Sequence, residues 1–217
     1  MHVGKLLARL NPSTQHYTQG RGGIPELTPQ DIAAAVAMVP EGLGRELVCR
    51  LWWPDGAKLT AKDLDRLLLE SQLSEWRERM DVLVTAQISQ AMAVTGTERA
   101  KAAAKIDAAR ARMWPRLGPE SCYEAIRHAV LTEMSSSCLC QTCRGLGHIR
   151  EESGLVRECE GCEGSGKQKI SDRQRAQMID RDKKTYSVVW APVYEWTLSL
   201  CNQVIGPAHD RLRSAVT

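Results

Sequence analysis

Residues 140–147 read Cys-Gln-Thr-Cys-Arg-Gly-Leu-Gly, and residues 159–166 repeat the pattern as Cys-Glu-Gly-Cys-Glu-Gly-Ser-Gly. Fifteen residues separate the two Cys-x-x-Cys units. Each unit is expected to form a turn, or knuckle, that directs two thiolates at one point, and four thiolates complete the tetrahedral shell that zinc accepts. The spacing therefore predicts a structural Zn2+ site. Its four predicted ligands are Cys140, Cys143, Cys159 and Cys162.

Other residues near the knuckles also bear on this interpretation. The glycines that follow each knuckle favour it, because backbone amides that curl toward sulfur need residues without a Cβ. Cys138 is too close to Cys140 to form a turn of the same geometry, and His148 is predicted to lie on a hairpin strand. The remaining cysteines lie among apolar residues and are predicted core side chains. They are Cys49, Cys122 and Cys201.

Disulfide and redox roles fit the cysteine pattern less well. A disulfide framework requires an oxidising compartment, and we find no signal-peptide pattern at the start of the sequence. The longest apolar stretch, residues 32–39, is far shorter than a membrane span. A redox Cys-x-x-Cys is expected singly, beside a strand–helix–strand pattern. We therefore expect a cytoplasmic protein without a membrane partner.

Charge is distributed unevenly along the 217 residues, although the formal net charge is only +3. Residues 97–116 hold six basic and two acidic side chains, and residues 167–184 hold seven basic and three acidic ones. Residues 138–166 carry more glutamates than arginines, which disfavours phosphate binding by the knuckles themselves. A basic helix face is often merely solvated, so residues 97–116 leave a solvated face, a nucleic-acid partner and an acidic partner open.

Helical patterns dominate the sequence, and no strand-rich segment lies outside the knuckles. We predict a mostly α fold: a helical bundle with an inserted two-knuckle zinc finger, followed by a C-terminal segment resembling a helix-turn-helix. The predicted divisions are a flexible basic arm (1–26), a helical N-terminal body (27–137), a zinc-binding module (138–169) and C-terminal helices (170–217). The predicted body helices cover residues 29–39, 41–53, a segment from 60, 81–94, 97–114 and 120–134.

The C-terminal segment suggests two helices joined by a basic turn. Ser171 and Gln174 form a capping box, which opens a helix that fades at Asp180. A polar turn at residues 181–185 precedes a second predicted helix, residues 186–191, and Pro192 either kinks that helix or begins a new one ending near residue 207. Such a pair is what a helix-turn-helix needs to read DNA, but many helical hairpins with basic turns bind nothing.

Three groups of residues also carry a resemblance to a known family. The spacing of residues matches that family in residues 27–35 (Leu-Thr-Pro-Gln-Asp-Ile-Ala-Ala-Ala), in the paired knuckles and in a C-terminal set. The C-terminal set comprises Ser171, Arg175, Ala176, Tyr186, Ser187, Pro192, Tyr194 and Cys201. In these features the chain resembles the late-gene antitermination Q proteins of lambda-type bacteriophages. The middle of the body, residues 41–133, matches only in being helical.

The resemblance implies a transcription regulator that is not an enzyme, in the cytoplasm of a bacterial host. Such proteins bind a double-stranded DNA element in a phage late promoter and load onto paused host RNA polymerase that retains its sigma factor. The polymerase then reads through pauses and terminators. By position, the four cysteines would hold zinc. The candidate DNA contacts are Arg173, Arg175, Lys183, Lys184, Tyr186 and Ser187.

Two alternatives remain open at this point. The first is a zinc-containing, sequence-specific promoter regulator without a role in elongation, whose DNA-reading parts would look the same. The second is a chaperone zinc module of the DnaJ type, which shares the CxxCxGxG repeat. That domain is similar in motif but has four repeats, and this chain has two. We find no nucleophile–base pair or phosphate-binding loop that would suggest an enzyme.

Overall fold

The structure is a computed structural model that describes most of the chain. It covers residue 7 and residues 29–116, 122–135, 140, 142–143, 148–150, 156–162, 164 and 170–215. These residues are mostly helical, as predicted, and their two strands lie between the knuckles. No helix among the described residues has both the length and the apolar character needed to cross a bilayer.

The elements follow one another in a simple order. They are α1 (Pro29–Ala37), α2 (Leu43–Trp52), a 3-10 turn (Pro54–Gly56), α3 (Ala61–Met92), α4 (Gly96–Ala111), α5 (Tyr123–Ser135), β1 (His148–Arg150), β2 (Val156–Glu158), α6 (Asp172–Met178), α7 (Lys183–Thr185), a π-helical segment (Tyr186–Trp190) and α8 (Ala191–Ala215).

One hydrophobic core joins the parts of the chain before and after the cysteine-rich segment. Ile32 and Leu47 from the predicted body belong to the same buried cluster as Ile179 and Leu212 from the C-terminal helices. The predicted N-terminal body and the C-terminal segment therefore share a single hydrophobic core. Leu7, the described residue of the predicted flexible arm, is buried in this core as well; the rest of residues 1–26 lies outside the described residues.

Helices α2 and α8 cross at close range in the core. Gly44 of α2 lies against the backbone carbonyl of Val204 in α8 and leaves no room for a Cβ atom. The interface around this point is formed by Leu47 and Cys49 of α2 and by Cys201 of α8, all completely buried. Cys49 and Cys201 are therefore core side chains, as predicted.

Helix α3 is one continuous helix of 32 residues, where the sequence patterns suggested two separate ones. Thr60 caps its start by accepting a hydrogen bond from the Asp63 amide, as expected from the sequence. No glycine or proline interrupts residues 61–92, so the backbone ladder has no reason to break. The helix therefore extends past the core and forms an antiparallel hairpin with α4.

A buried polar network ties α3, α5 and α8 together. The Arg127 guanidinium donates to both carboxylate oxygens of Asp65 (2.6 and 2.8 Å) and to the side-chain oxygen of Gln72 (3.0 Å). The Gln72 amide in turn donates to the Thr197 hydroxyl at 2.9 Å, and that hydroxyl donates to the Val193 carbonyl. Gln72 and Thr197 are completely buried, so each bond replaces one that water would otherwise supply.

We expect Gln72→Leu to lower the free energy of unfolding by about 1–3 kcal/mol, because it leaves a buried guanidinium N–H of Arg127 without its acceptor and the buried Thr197 oxygen without its donor. The matched control is Gln87→Leu on the exposed face of the same helix, which should change stability by less than about 0.5 kcal/mol. Urea denaturation followed by circular dichroism measures both. Equal effects of the two substitutions would show that the network contributes nothing.

The C-terminal helices differ from the prediction in length. α6 begins with the expected Ser171–Gln174 capping box. It ends in a Schellman motif, with Asp180 at a left-handed φ of 53° and the Arg181 amide bonded to the Ala176 carbonyl at 2.9 Å. The next helix starts at residue 183, where the Asp182 side chain accepts a bond from Thr185 and serves as the N-cap.

This second helix is uninterrupted from residue 183 to residue 215, so the predicted short helix at 186–191 and the predicted end near residue 207 are wrong. Pro192 cannot donate a backbone hydrogen bond and would crowd an ordinary helical turn. The chain accommodates it with a π turn before it, in which the Ala191 amide bonds to the Tyr186 carbonyl. Pro207 lies inside α8 without ending it.

Candidate metal centre and adjoining helix

The two knuckles bring four buried sulfur atoms to one point. Cys140, Cys143, Cys159 and Cys162 place their Sγ atoms within 4.8 Å of one another. The Sγ atoms of Cys140 and Cys159 are 3.8 Å apart, and those of Cys143 and Cys162 are 3.6 Å apart. A regular tetrahedron with zinc–sulfur bonds of about 2.3 Å has sulfurs about 3.8 Å apart. The cluster therefore has the donor set and the size that a metal ion of this kind requires.

A short antiparallel hairpin connects the knuckles. β1 pairs with β2 in the register His148–Glu158, Ile149–Arg157 and Arg150–Val156. Ile149 packs against the four cysteines and is the hydrophobic neighbour of the cluster. His148 is exposed on β1, as predicted, and is not part of the cluster. Cys138 lies outside the described residues, as do three of the four knuckle glycines.

Gly164 has the backbone conformation that the repeated glycines predict. Its φ of +75° lies in the left-handed region, and a Cβ there would collide with the Glu158 side chain. Its amide bonds to the Cys159 carbonyl at 3.4 Å, as does the Cys162 amide at 3.2 Å. Both bonds curl the chain around the second pair of sulfurs, which explains why this position carries glycine.

The first knuckle favours the thiolate form of its leading cysteine. The backbone amide of Cys143, followed by that of Thr142, stabilises the Cys140 thiolate and lowers the pKa of this side chain to about 6. A thiolate, rather than a thiol, is the form that binds a metal. The described cysteines form no disulfide.

A largely buried ion pair joins the helices that precede and follow the cysteine-rich segment. Glu133 near the end of α5 accepts two hydrogen bonds from Arg175 of α6, at 2.7 and 3.0 Å, and one from the Tyr194 hydroxyl at 2.7 Å. The Arg175 guanidinium also lies over the Tyr194 ring, 5.0 Å from its centre. Although burial opposes the charge, Glu133 raises the pKa of Arg175 above its usual range. We call these three residues the base clamp.

The base clamp corrects the expectation for two of the six candidate DNA contacts. Arg175 is engaged by Glu133 and its side chain is only 16% exposed. Tyr186 is completely buried, with its ring edge-on to Tyr194 at 5.8 Å. Both side chains therefore take part in packing between helices. Tyr186 does not reach the surface, where it would have to lie to contact a base edge. The sequence did not reveal Glu133 as the partner of Arg175, because the pairing spans 42 residues.

The other four candidates lie exposed on α6 and at the start of the long helix. They are Arg173, Lys183, Lys184 and Ser187. The Ser187 hydroxyl donates to the Lys183 carbonyl at 2.9 Å, so its oxygen keeps acceptor capacity toward solvent. Beside them Val188 is 73% exposed, which gives this face an apolar element. No family model, curated protein or solved structure matches the chain.

We expect Cys162→Ser to abolish stoichiometric zinc binding, because a neutral hydroxyl replaces one of four thiolates. His148→Ala is the matched control: it removes a nearby potential ligand that lies outside the cluster, and zinc content should stay unchanged. Inductively coupled plasma mass spectrometry of the purified full-length variants measures the metal per chain. An unaltered zinc content in Cys162→Ser would remove the metal assignment.

Proposed function

We propose that this chain is a zinc-containing transcription antitermination factor of the phage late-gene type. In this proposal it binds a DNA element in a late promoter and loads onto host RNA polymerase that still holds its sigma factor. The polymerase then reads through pauses and terminators. The observation that carries the proposal is the four-cysteine cluster, which lies in the sequence between the two helices that the base clamp joins and is followed by a helix with an exposed basic first turn.

Zinc in the proposed site has a structural role. All four donors are cysteines, so no coordination position is left for water or a substrate, in contrast to catalytic zinc sites. The base clamp connects the segments on both sides of the module, with Glu133 on α5 and Arg175 on α6. The metal and the clamp together would hold the module in one orientation relative to the basic helix.

The exposed residues of the second helix have the chemistry of a DNA-reading surface. Lys183 and Lys184 lie in its first turn, and Arg173 lies on the preceding helix. Such cations neutralise phosphates and set the register of a protein on the duplex. Ser187 and Val188 follow one turn later, and a hydroxyl and a small apolar side chain are suited to base edges and to thymine methyl groups.

DNA binding through phosphate contacts also suits a factor that must leave its DNA site after loading. Each phosphate neutralised adds about 0.9 to the slope of the logarithm of affinity against the logarithm of salt concentration. Three exposed cations thus predict affinity that is strongly salt-sensitive yet limited in strength. A promoter regulator without an elongation role would use the same surface, so only transcription separates the two proposals.

Lys184→Ala should weaken binding evenly across DNA sequences and reduce the salt slope by about 0.9, whereas Ser187→Ala should change sequence preference. Tyr186→Phe is the matched control, because its hydroxyl lies in the core and its loss should leave DNA affinity unchanged. Fluorescence anisotropy with late-promoter and scrambled duplexes measures all three. Loss of affinity in Tyr186→Phe alone would place the reading surface elsewhere.

Transcription by host RNA polymerase from the phage's own late promoter through a downstream terminator tests the whole proposal. We expect readthrough that requires the protein, the promoter DNA and zinc, and that is lost in Cys162→Ser. DNA binding without readthrough would instead support the promoter regulator. Readthrough from promoters that lack the DNA element would contradict the loading step.

A further inference from the structure

The outer half of the α3–α4 pair forms a helical hairpin apart from the main core. We call residues 81–111 the distal hairpin. Its buried side chains are small and separate from the core cluster: Ala86, Ala102, Ile106 and Ala109. Within the described chain α4 packs mainly on α3, so the outer faces of both helices are open.

The base of the hairpin is firmly attached to the protein. Trp114, just after α4, is buried edge-on to Trp196 with ring centres 5.0 Å apart. Arg79 lies over the Trp114 ring and donates to the Arg112 carbonyl at 2.6 Å. Its other partner is Glu75, one turn earlier on α3. The hairpin therefore extends from a fixed base.

The outer part of the hairpin is apolar where a solvated helix would be charged. Residues 82–97 contain no charged side chain. Exposed large hydrophobic residues are concentrated here: Met92 is 76% exposed and Val94 is 82% exposed, with Val82, Val84 and Ile88 between 41 and 57%. Scattered exposed hydrophobic residues are ordinary, but a group on one element marks a contact surface.

A groove runs along one side of this surface, with a volume of about 440 Å³. Met92 and Val94 line it from the α3 side and the turn, and Lys101 and Lys105 line it from α4. Both lysines are exposed, and neither forms an ion pair with any described residue. The acid in the lining, Glu98, accepts the Val94 and Thr95 amides in a capping box. We call this the tip groove.

We propose that the tip groove binds an amphipathic helix of another protein, with apolar residues on one face and acidic residues beside them. An apolar helix face in a hydrophobic groove is a recurrent mode of recognition, and the two lysines would select acidic flanks by charge complementarity. Duplex DNA would leave the exposed apolar side chains of Met92 and Val94 against charged phosphates, to which they can offer no hydrogen bond. A second copy of the chain would bring the like-charged lysine rows together. This inference is independent of DNA binding by the C-terminal helix.

The test uses the full-length protein and a fluorescein-labelled synthetic helix with leucine on one face and glutamate on its flanks. Anisotropy should show binding that weakens about ten-fold in Met92→Ser, the loss of one buried anchor. Val156→Ser, which removes an exposed valine on β2, is the matched control and should bind like the wild type. Circular dichroism confirms that each variant is folded.

Charge reversal provides the decisive comparison. In a second peptide, lysine replaces every glutamate. The double variant Lys101→Glu/Lys105→Glu should bind this second peptide more tightly than the first, whereas the wild type should bind the first more tightly. Absence of binding by the wild type, or equal binding of both peptides to both proteins, would overturn the proposal. So would competition by duplex DNA, or self-association in sedimentation equilibrium that Met92→Ser abolishes.

Discussion

The ion pair between Glu133 and Arg175 is the contact on which the arrangement of this protein depends. It joins the end of the helix before the cysteine-rich segment to the start of the helix after it, so the segment leaves and re-enters the core at adjacent points. Both side chains are largely buried, at 13 and 16% exposure, and removing either would leave a charge without compensation. Tyr194 adds a third helix to the same carboxylate, and its hydroxyl pKa is raised first by burial and then by Glu133.

The described residues of the module between these helices offer little that would hold it together without a metal. Its strands are three residues each, and an isolated hairpin of that size is not stable in water. Its buried cluster is the four cysteines with Ile149 against them. Metal binding supplies folding free energy directly, so the proposed zinc would take the place of a hydrophobic core. The helical part, in contrast, has a full core and a satisfied polar network.

Local sequence patterns correctly predicted those structural features that depend only on neighbouring residues. The cysteine spacing, the Ser171 and Thr60 caps and most helix positions follow from a few adjacent side chains, and the structure confirms them. Contacts between distant residues could not be predicted in this way: nothing in the sequence near Tyr186 indicates that it packs against Tyr194, or that Tyr194 binds Glu133. The same limit applies to α3, because the pattern cannot show that the helix continues past the core. Function rests on the resemblance and stays a prediction.

The π turn before Pro192 also sets the phase of the long helix. A π turn holds one residue more than an α turn, and each residue of an α-helix advances the side chains by about 100°. The extra residue lets Tyr186 and Tyr194 both face the core while Lys184 and Ser187 face solvent. Deleting a single residue there would crowd Pro192 and rotate the first two turns of the helix by about 100° against the rest. The number of residues in the π turn before Pro192 therefore determines which side chains of the first two turns face solvent. No exposed side chain determines it.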